Sequence, residues 1–206
     1  MININLLLAW GATYKKVSAG ETIFSEGQFC KYYYQLVSGS VRWINIDSDG
    51  RECIHSIIGP GESFGEFPLF DGGLYAASAI AENDCMLIRL HKSTFLELLK
   101  ENPDLLFEFT RLLTKRLRFK YALIKSFASN NPEMRIINLI NQLKSENKNF
   151  CSECNQLKLT RQQIADMTGL RVETVIRTMR QMHEKGDIMI NRGKVYCNDM
   201  IEVIMT

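Results

Sequence analysis

"TRQQIADMTGLRVETVIRTMRQMHEKG", residues 160–186, contains two short amphipathic runs with a glycine between them. Thr160 followed three residues later by Gln163 is a capping-box pattern: the hydroxyl accepts from the backbone N–H three residues on, and the glutamine reaches back. The spacing predicts a first helix from about Arg161 to Met167, after which Gly169 permits a sharp turn. In the second run Val175, Met179 and Met182 recur at i, i+4 and i+7, which predicts a buried face. Glu173, Arg177, Arg180 and Glu184 recur at i, i+4, i+7 and i+11, which predicts an outward one.

The outward face has chemistry suited to base edges. An arginine fork pairs with guanine O6 and N7, and a carboxylate accepts from cytosine N4. Arg161 and Gln162, at the start of the first helix, are placed to hold phosphates. Thr160, Arg171 and Thr174 complete the DNA-facing set expected with Glu173, Arg177 and Arg180. The plainer alternative is a solvated Glu173–Arg177 pair on a helix that only closes a core.

The flanks favour DNA. After Gly186, "DIMINRGKVYC" alternates around an Asn-Arg-Gly-Lys turn and predicts a β-hairpin. Upstream lie a helix from Glu133 to about Lys144, a polar loop "SENKNFCSECNQ" and a short strand "LKL". Helix, strand, two helices and hairpin together describe a winged helix-turn-helix. Charge agrees: residues 1–101 hold 8 Lys and Arg against 12 Asp and Glu, a net of −4, whereas residues 102–206 hold 17 against 11, a net of +6.

From about Lys15 to Leu90 the texture is different. Strand-length runs such as "YYYQLV", "SVRWINI" and "ECIHSII" are broken by Gly39, "DSDG" (47–50) and "GPG" (59–61), which predicts an all-β roll, sandwich or barrel. "DSDG" is a hairpin signal, because Asp and Gly tolerate positive φ. "STFLELLKENPD" reads as a short helix stopped near Asn102, and Pro103 suits the first turn of a longer helix reaching about Phe127, roughly 37 Å. Leu106, Phe109, Leu113, Leu117 and Ile124 form one stripe of that helix, and Leu105, Leu112 and Phe119 a neighbouring one. One stripe is expected to cover the roll and the other to meet a second copy in a homodimer. "ASNNP" (128–132) is the expected hinge.

Hydrophobic residues make up 46% and charged residues 23%, ordinary for a globular protein, and no apolar run approaches the length of a membrane span. "MININLLLAW" lacks a basic n-region and a cleavage site, so a cytoplasmic location is expected. The six cysteines are then expected to be reduced thiols. No Ser/His/Asp order, phosphate-cradling loop or paired ligand set appears, so an enzyme is not indicated.

The order of β-roll, long helix and winged helix-turn-helix resembles the CRP/FNR superfamily of bacterial transcription regulators. The phrases that carry the resemblance are "AGETIFSEGQ" (19–28), "YYQLVSGSVR" (33–42), "GPGESFGEFPLF" (59–70), "LKENPDLL" (99–106) and "LTRQQIADMTGLRVETVIRTMRQM" (159–182). The resemblance implies an α+β chain with a sensor roll over 1–101, a dimerisation helix over 102–128 and a winged helix-turn-helix over 129–206. It implies Glu173 and Arg177 as base readers, a palindromic site on double-stranded DNA, RNA polymerase as a partner and a possible small-molecule effector. Ile176 stands where the FNR-like branch commonly has serine.

On the sensory side, the family's cyclic AMP site uses a Gly-Glu pair, an Arg-Ser pair and a Thr-Ser pair on the long helix. The corresponding residues here are Gly65-Glu66, Tyr75-Ala76 (or Ala76-Ala77, with a one-residue gap) and Lys120-Tyr121. "DGGLYAAS" supplies no arginine to offset a cyclic phosphate, so cyclic AMP is not the expected effector. The first cysteine is Cys30, against the N-terminal group that an iron–sulfur cluster needs. His55 and His91 leave haem open. "CSEC" (151–154) supplies two thiols where structural zinc usually takes four ligands, so no metal site is expected, and two loop cysteines are weighed above a thiol switch. The alternative in another class is a ligand-binding sensor whose C-terminal domain contacts protein and not DNA.

Overall fold

The structure, a computed structural model, describes residues 2–127, 131–146 and 148–197, apart from the side chains of Ser126 and Phe127. It divides into two compact units, Met1–Leu113 and Thr114–Thr206. The expected hinge residues 128–130 lie outside the described residues.

The first unit opens with α1 (Ile4–Ala9) and continues through β1 (Thr13–Val17), β2 (Thr22–Phe24), β3 (Tyr32–Ser38), β4 (Val41–Ile46), β5 (Glu52–Ile58) and β6 (Ser63–Phe64). Then come α2 (Phe67–Asp71), β7 (Ser78–Ala81), β8 (Cys85–His91), α3 (Lys92–Glu101) and the start of α4 (Pro103–Phe127). The strands form two antiparallel sheets, ordered β1-β8-β3-β6 and β2-β7-β4-β5. Between β4 and β5 the Asp47 carboxylate accepts from the N–H groups of Asp49 and Arg51, and Gly50 takes φ +77, so "DSDG" turns the hairpin as expected.

β3 (YYYQLVS) is buried at four consecutive residues, Tyr33 to Leu36, because both of its faces are covered. Tyr34 and Leu36 enter a core drawn from both sheets, with Val41, Ile58, Phe64 and Leu87. Tyr33 faces the other way, among Leu7 of α1, Phe95 and Leu98 of α3 and Phe109 of α4, and stacks on Phe95 at 4.6 Å between ring centroids. The buried Gln35 on that side is satisfied, accepting from Tyr33 Oη at 2.7 Å and donating to the Ile2 carbonyl at 3.1 Å.

Helix α4 has the expected bounds, but its stripes sort differently. Leu105, Phe109 and Leu112 pack on the core of the first unit, so Phe109 leaves the stripe predicted for it. Leu106, Leu117, Tyr121 and Ile124 are exposed, and Leu123 is buried.

The second unit comprises the rest of α4, α5 (Pro132–Ser145), β9 (Gln156–Leu157), α6 (Arg161–Thr168), α7 (Val172–Lys185), β10 (Met189–Asn191) and β11 (Lys194–Tyr196). Asn131 caps α5 by accepting from the Glu133 N–H, with Pro132 in the first turn. The expected strand "LKL" is replaced by Gln156–Leu157, which pair with Tyr196 and Val195. Lys158 leaves the ladder because its N–H donates to the Asn149 carbonyl at 2.6 Å. The sheet order is β10-β11-β9. At the tip of the β10–β11 hairpin, Arg192 and Gly193 take φ +47 and +78, the doubly positive pair of a two-residue hairpin loop.

Candidate DNA interface and sensory roll

Helix α6 begins at the predicted capping box. Gln163 N–H donates to Thr160 Oγ1 at 3.1 Å, and Thr160 N–H donates to Gln163 Oε1 at 2.8 Å. Gly169 closes the helix at φ +66 and lets α7 start three residues later. In α7 Val175, Met179 and Met182 are buried, as their spacing predicts, while Glu173, Arg177, Arg180 and Glu184 are exposed. One helix thus buries its apolar stripe against its own domain and turns a charged one outward. Its C-terminal end is tied to α5 by Lys185 Nζ, which donates to both Glu133 oxygens at 2.7 and 2.9 Å; this bond raises the Lys185 pKa.

The outward charges are uncommitted. Among the described residues, no ion pair or side-chain hydrogen bond engages Glu173, Arg177 or Arg180, so the solvated Glu173–Arg177 pair does not form. Arg171, at the N-cap of α7, is exposed, and Thr174 is half-buried. Gln162 is exposed but donates to Asp166 Oδ1 at 2.7 Å, one turn along α6. Arg161 is half-buried, and burial lowers its pKa. Ile176 is 45% exposed between the charges. Arg192 and Lys194, two further exposed cations of this unit, were not among the predicted DNA-facing residues. The hairpin cations were legible in the Asn-Arg-Gly-Lys turn, and only its geometry was read.

In the roll, Gly65 and Glu66 lie at the end of β6 and the start of α2, both buried. Glu66 accepts a hydrogen bond from Ser63 Oγ. Tyr75 is only 4% exposed and stacks on Phe24 at 3.8 Å between centroids, with Tyr34 and Phe64 beyond. Its hydroxyl donates to Cys30 Sγ at 3.2 Å. Burial foremost, then that hydrogen bond, raises the Tyr75 pKa far above the ordinary phenol value. Burial likewise pushes Tyr34 up to about 12, against the opposing pull of Arg89. Ala76 is exposed, and its carbonyl accepts from Asn45 Nδ2 at 2.9 Å. Lys120 and Tyr121, half-buried and exposed respectively, belong to the second unit. His55 contacts Asn45 Oδ1, and His91 Nδ1 lies 3.0 Å from Ser93 Oγ.

Two sequence families match this arrangement: a cyclic nucleotide-binding domain over residues 14–102 and a Crp-like helix-turn-helix domain over 134–201. The cAMP-activated global transcriptional regulator CRP of Pasteurella multocida is 30% identical over 172 residues, 82% of each chain. The chain belongs to the CRP/FNR family of transcription regulators.

It is therefore an effector-controlled, DNA-binding transcription regulator, with α7 as the second helix of its helix-turn-helix. The CRP protein of Haemophilus influenzae is 28% identical over 184 residues, 87% of this chain and 82% of that one. Among solved structures, FixK2 of Bradyrhizobium japonicum superposes with a TM-score of 0.78 at 21% identity, covering 95% of this chain and 99% of that one. The c-di-GMP responsive regulator CLP of Xanthomonas campestris gives 0.76 at 22% identity, covering 95% and 98%. These two likenesses establish the fold. Among the described residues no helix is long and apolar enough to cross a membrane.

Proposed function

We propose that this regulator acts as a homodimer on a palindromic site, with Glu173, Arg177 and Arg180 reading base edges in the major groove. Thr160, Arg161, Gln162, Arg171 and Thr174 hold the backbone around them. The observation that carries this reading is the exposed, uncommitted charged face of α7 opposite a fully buried apolar one. The exposed stripe Leu106, Leu117, Tyr121 and Ile124 on α4 supports pairing with a second copy. Two copies would place two α7 helices about one DNA turn apart, and RNA polymerase is the partner through which bound dimers act.

The sensory reading is that the roll does not take a cyclic nucleotide. Neither residue that could stand in place of the phosphate-binding arginine, Tyr75 or Ala76, carries a cation, and the Tyr75 ring is built into the aromatic core. Glu66 is equally engaged, by Ser63. The contacts of His55 and His91 support structural roles for both. A different effector biases the population of DNA-competent dimers.

Selection of binding sites from a random duplex pool tests the DNA reading. The expected result is an inverted repeat whose affinity falls by about 1–3 kcal/mol in Arg177→Ala, with specificity relaxed at one base pair per half-site. Equal affinity of wild type and variant for every duplex would transfer the C-terminal domain to protein contacts. Sedimentation showing a monomer at micromolar concentration would refute the dimer. Cyclic AMP at millimolar concentration is expected to leave both Tm and DNA affinity unchanged.

A further inference from the structure

The exposed face of α7 is interrupted by one residue of the wrong polarity. Ile176 stands three residues after Glu173, next to Arg177 and four before Arg180, so all four share one strip of the helix. It is 45% exposed, whereas Val175, Met179 and Met182 of α7 are buried and Val172, in its first turn, is half-buried. A lone exposed apolar side chain is ordinary on a protein surface. This one, however, lies in the middle of the face that meets DNA, where its neighbours are charged. A β-branched residue also gains nothing there from helix propensity.

In the major groove every base pair presents hydrogen-bonding groups, and the one methyl group there is the 5-methyl of thymine, which A·T pairs have and G·C pairs lack. An isoleucine pressed against a purine N7 or O6, or against a cytosine amino group, would strip water from a polar group without replacing its hydrogen bond. Against a methyl it removes apolar surface from water on both sides. Resting on the DNA reading above, we propose that Ile176 reads a thymine in each half-site by contact with its 5-methyl group, beside the base pairs read by Glu173 and Arg177. The residue is thus a specificity determinant of apolar kind within a polar reading head.

Replacing thymine by deoxyuridine removes that methyl and nothing else. In the selected duplex, each thymine is exchanged singly and binding is followed by fluorescence anisotropy. One position per half-site is expected to lose about fourfold in affinity, the worth of one buried methyl. Exchanging it in both half-sites should cost about fifteenfold. Ile176→Ala, at an exposed position where folding is not at stake, should bind the thymine and uracil duplexes equally well while keeping its preference at the Arg177 base pair. The inference is overturned if no thymine shows this coupled loss, or if Ile176→Ala keeps the full uracil discrimination. It is also overturned if the position selects cytosine and 5-methylation of that cytosine tightens binding. Failure of the pool to yield any preferred sequence would instead remove the DNA reading itself.

Discussion

Gly65→Ala should cost the roll about 2–5 kcal/mol. A Cβ built on Gly65 would lie 2.6 Å from Cζ and 2.9 Å from Cε1 of Phe24, and 3.0 Å from Cε1 of Tyr75. The Phe24 ring cannot swing away, because it is stacked on Tyr75 at 3.8 Å and flanked by Tyr34 and Phe64 at 5.8 and 5.9 Å. Overpacking of this kind costs about 1–3 kcal/mol. Gly65 also has φ +72, where a residue with a Cβ loses roughly 1–2 kcal/mol more. Urea unfolding followed by tryptophan fluorescence isolates the effect, since both tryptophans, Trp10 and Trp43, lie in the first unit. Phe24→Leu supplies the control. It shortens the ring that the new methyl would strike, so the double variant should lose about 1–2 kcal/mol less than the two single losses added together. The φ penalty should survive in it. A Gly65→Ala loss below about 0.5 kcal/mol, or strict additivity with Phe24→Leu, would refute the aromatic packing described here.

Thr160→Ala removes the hydroxyl that accepts from Gln163 N–H, with an expected cost of about 1 kcal/mol, read as faster amide exchange at Gln163 and Ile164; unchanged protection there would count against the cap. The Cys151 thiol has its pKa lowered by hydrogen bonds from the backbone of Glu153 and Cys154 and from the Cys154 thiol, whereas burial pushes Cys197 up to about 11 and also raises Cys85. A lowered pKa means more thiolate at neutral pH, so iodoacetamide at pH 7 should label Cys151 well before Cys197 or Cys85. Raising the pH should accelerate Cys197 up to about 11, after Cys151 has levelled off; equal labelling rates at pH 7 would refute the assignment. Met179→Ala empties a fully buried position of α7 and should destabilise the second unit by about 2–5 kcal/mol in thermal unfolding, with DNA affinity lost in parallel; a change under about 1 kcal/mol would mean that the helix is not anchored by that face.

What could be read beforehand depended on how local its cause is. The helix pair was legible almost to the residue, because a capping box, a left-handed glycine and a 3.6-residue period all act within a few positions of one another. Pro103 and Asn102 fixed the break between α3 and α4 in the same way. Helices α1 and α2, of six and five residues, are too short to show a period, and neither was predicted. The sorting of α4 was missed for a longer-range reason: Leu106 and Phe109 have the same spacing, and only Phe95 and Tyr33 waiting on one side decide which is buried. The interior of the roll was illegible in the same sense. Nothing in "DGGLYAAS" says that Tyr75 turns inward onto Phe24, a residue 51 positions earlier.

That difference bears on which signatures deserve functional weight. Gly65-Glu66 looks like part of a nucleotide site, yet each residue already has a task within the fold. Gly65 supplies a positive φ and room for two rings, and Glu66 takes the Ser63 hydroxyl while its carbonyl accepts from Leu69 N–H to begin α2. A pair held by such demands would persist whether or not a ligand ever bound, so its presence says little about one. Glu173, Arg177 and Arg180 are the opposite case. They are exposed and without a partner among the described residues, and the apolar face behind them suffices to hold α7 in place. Four charged or apolar side chains share that strip, Ile176 included, and have no local structural account; the proposed contact with DNA rests on that. The charges of α7 thus carry the proposed contact with DNA, whereas the residues of the roll that correspond to a cyclic nucleotide site are already engaged within the fold.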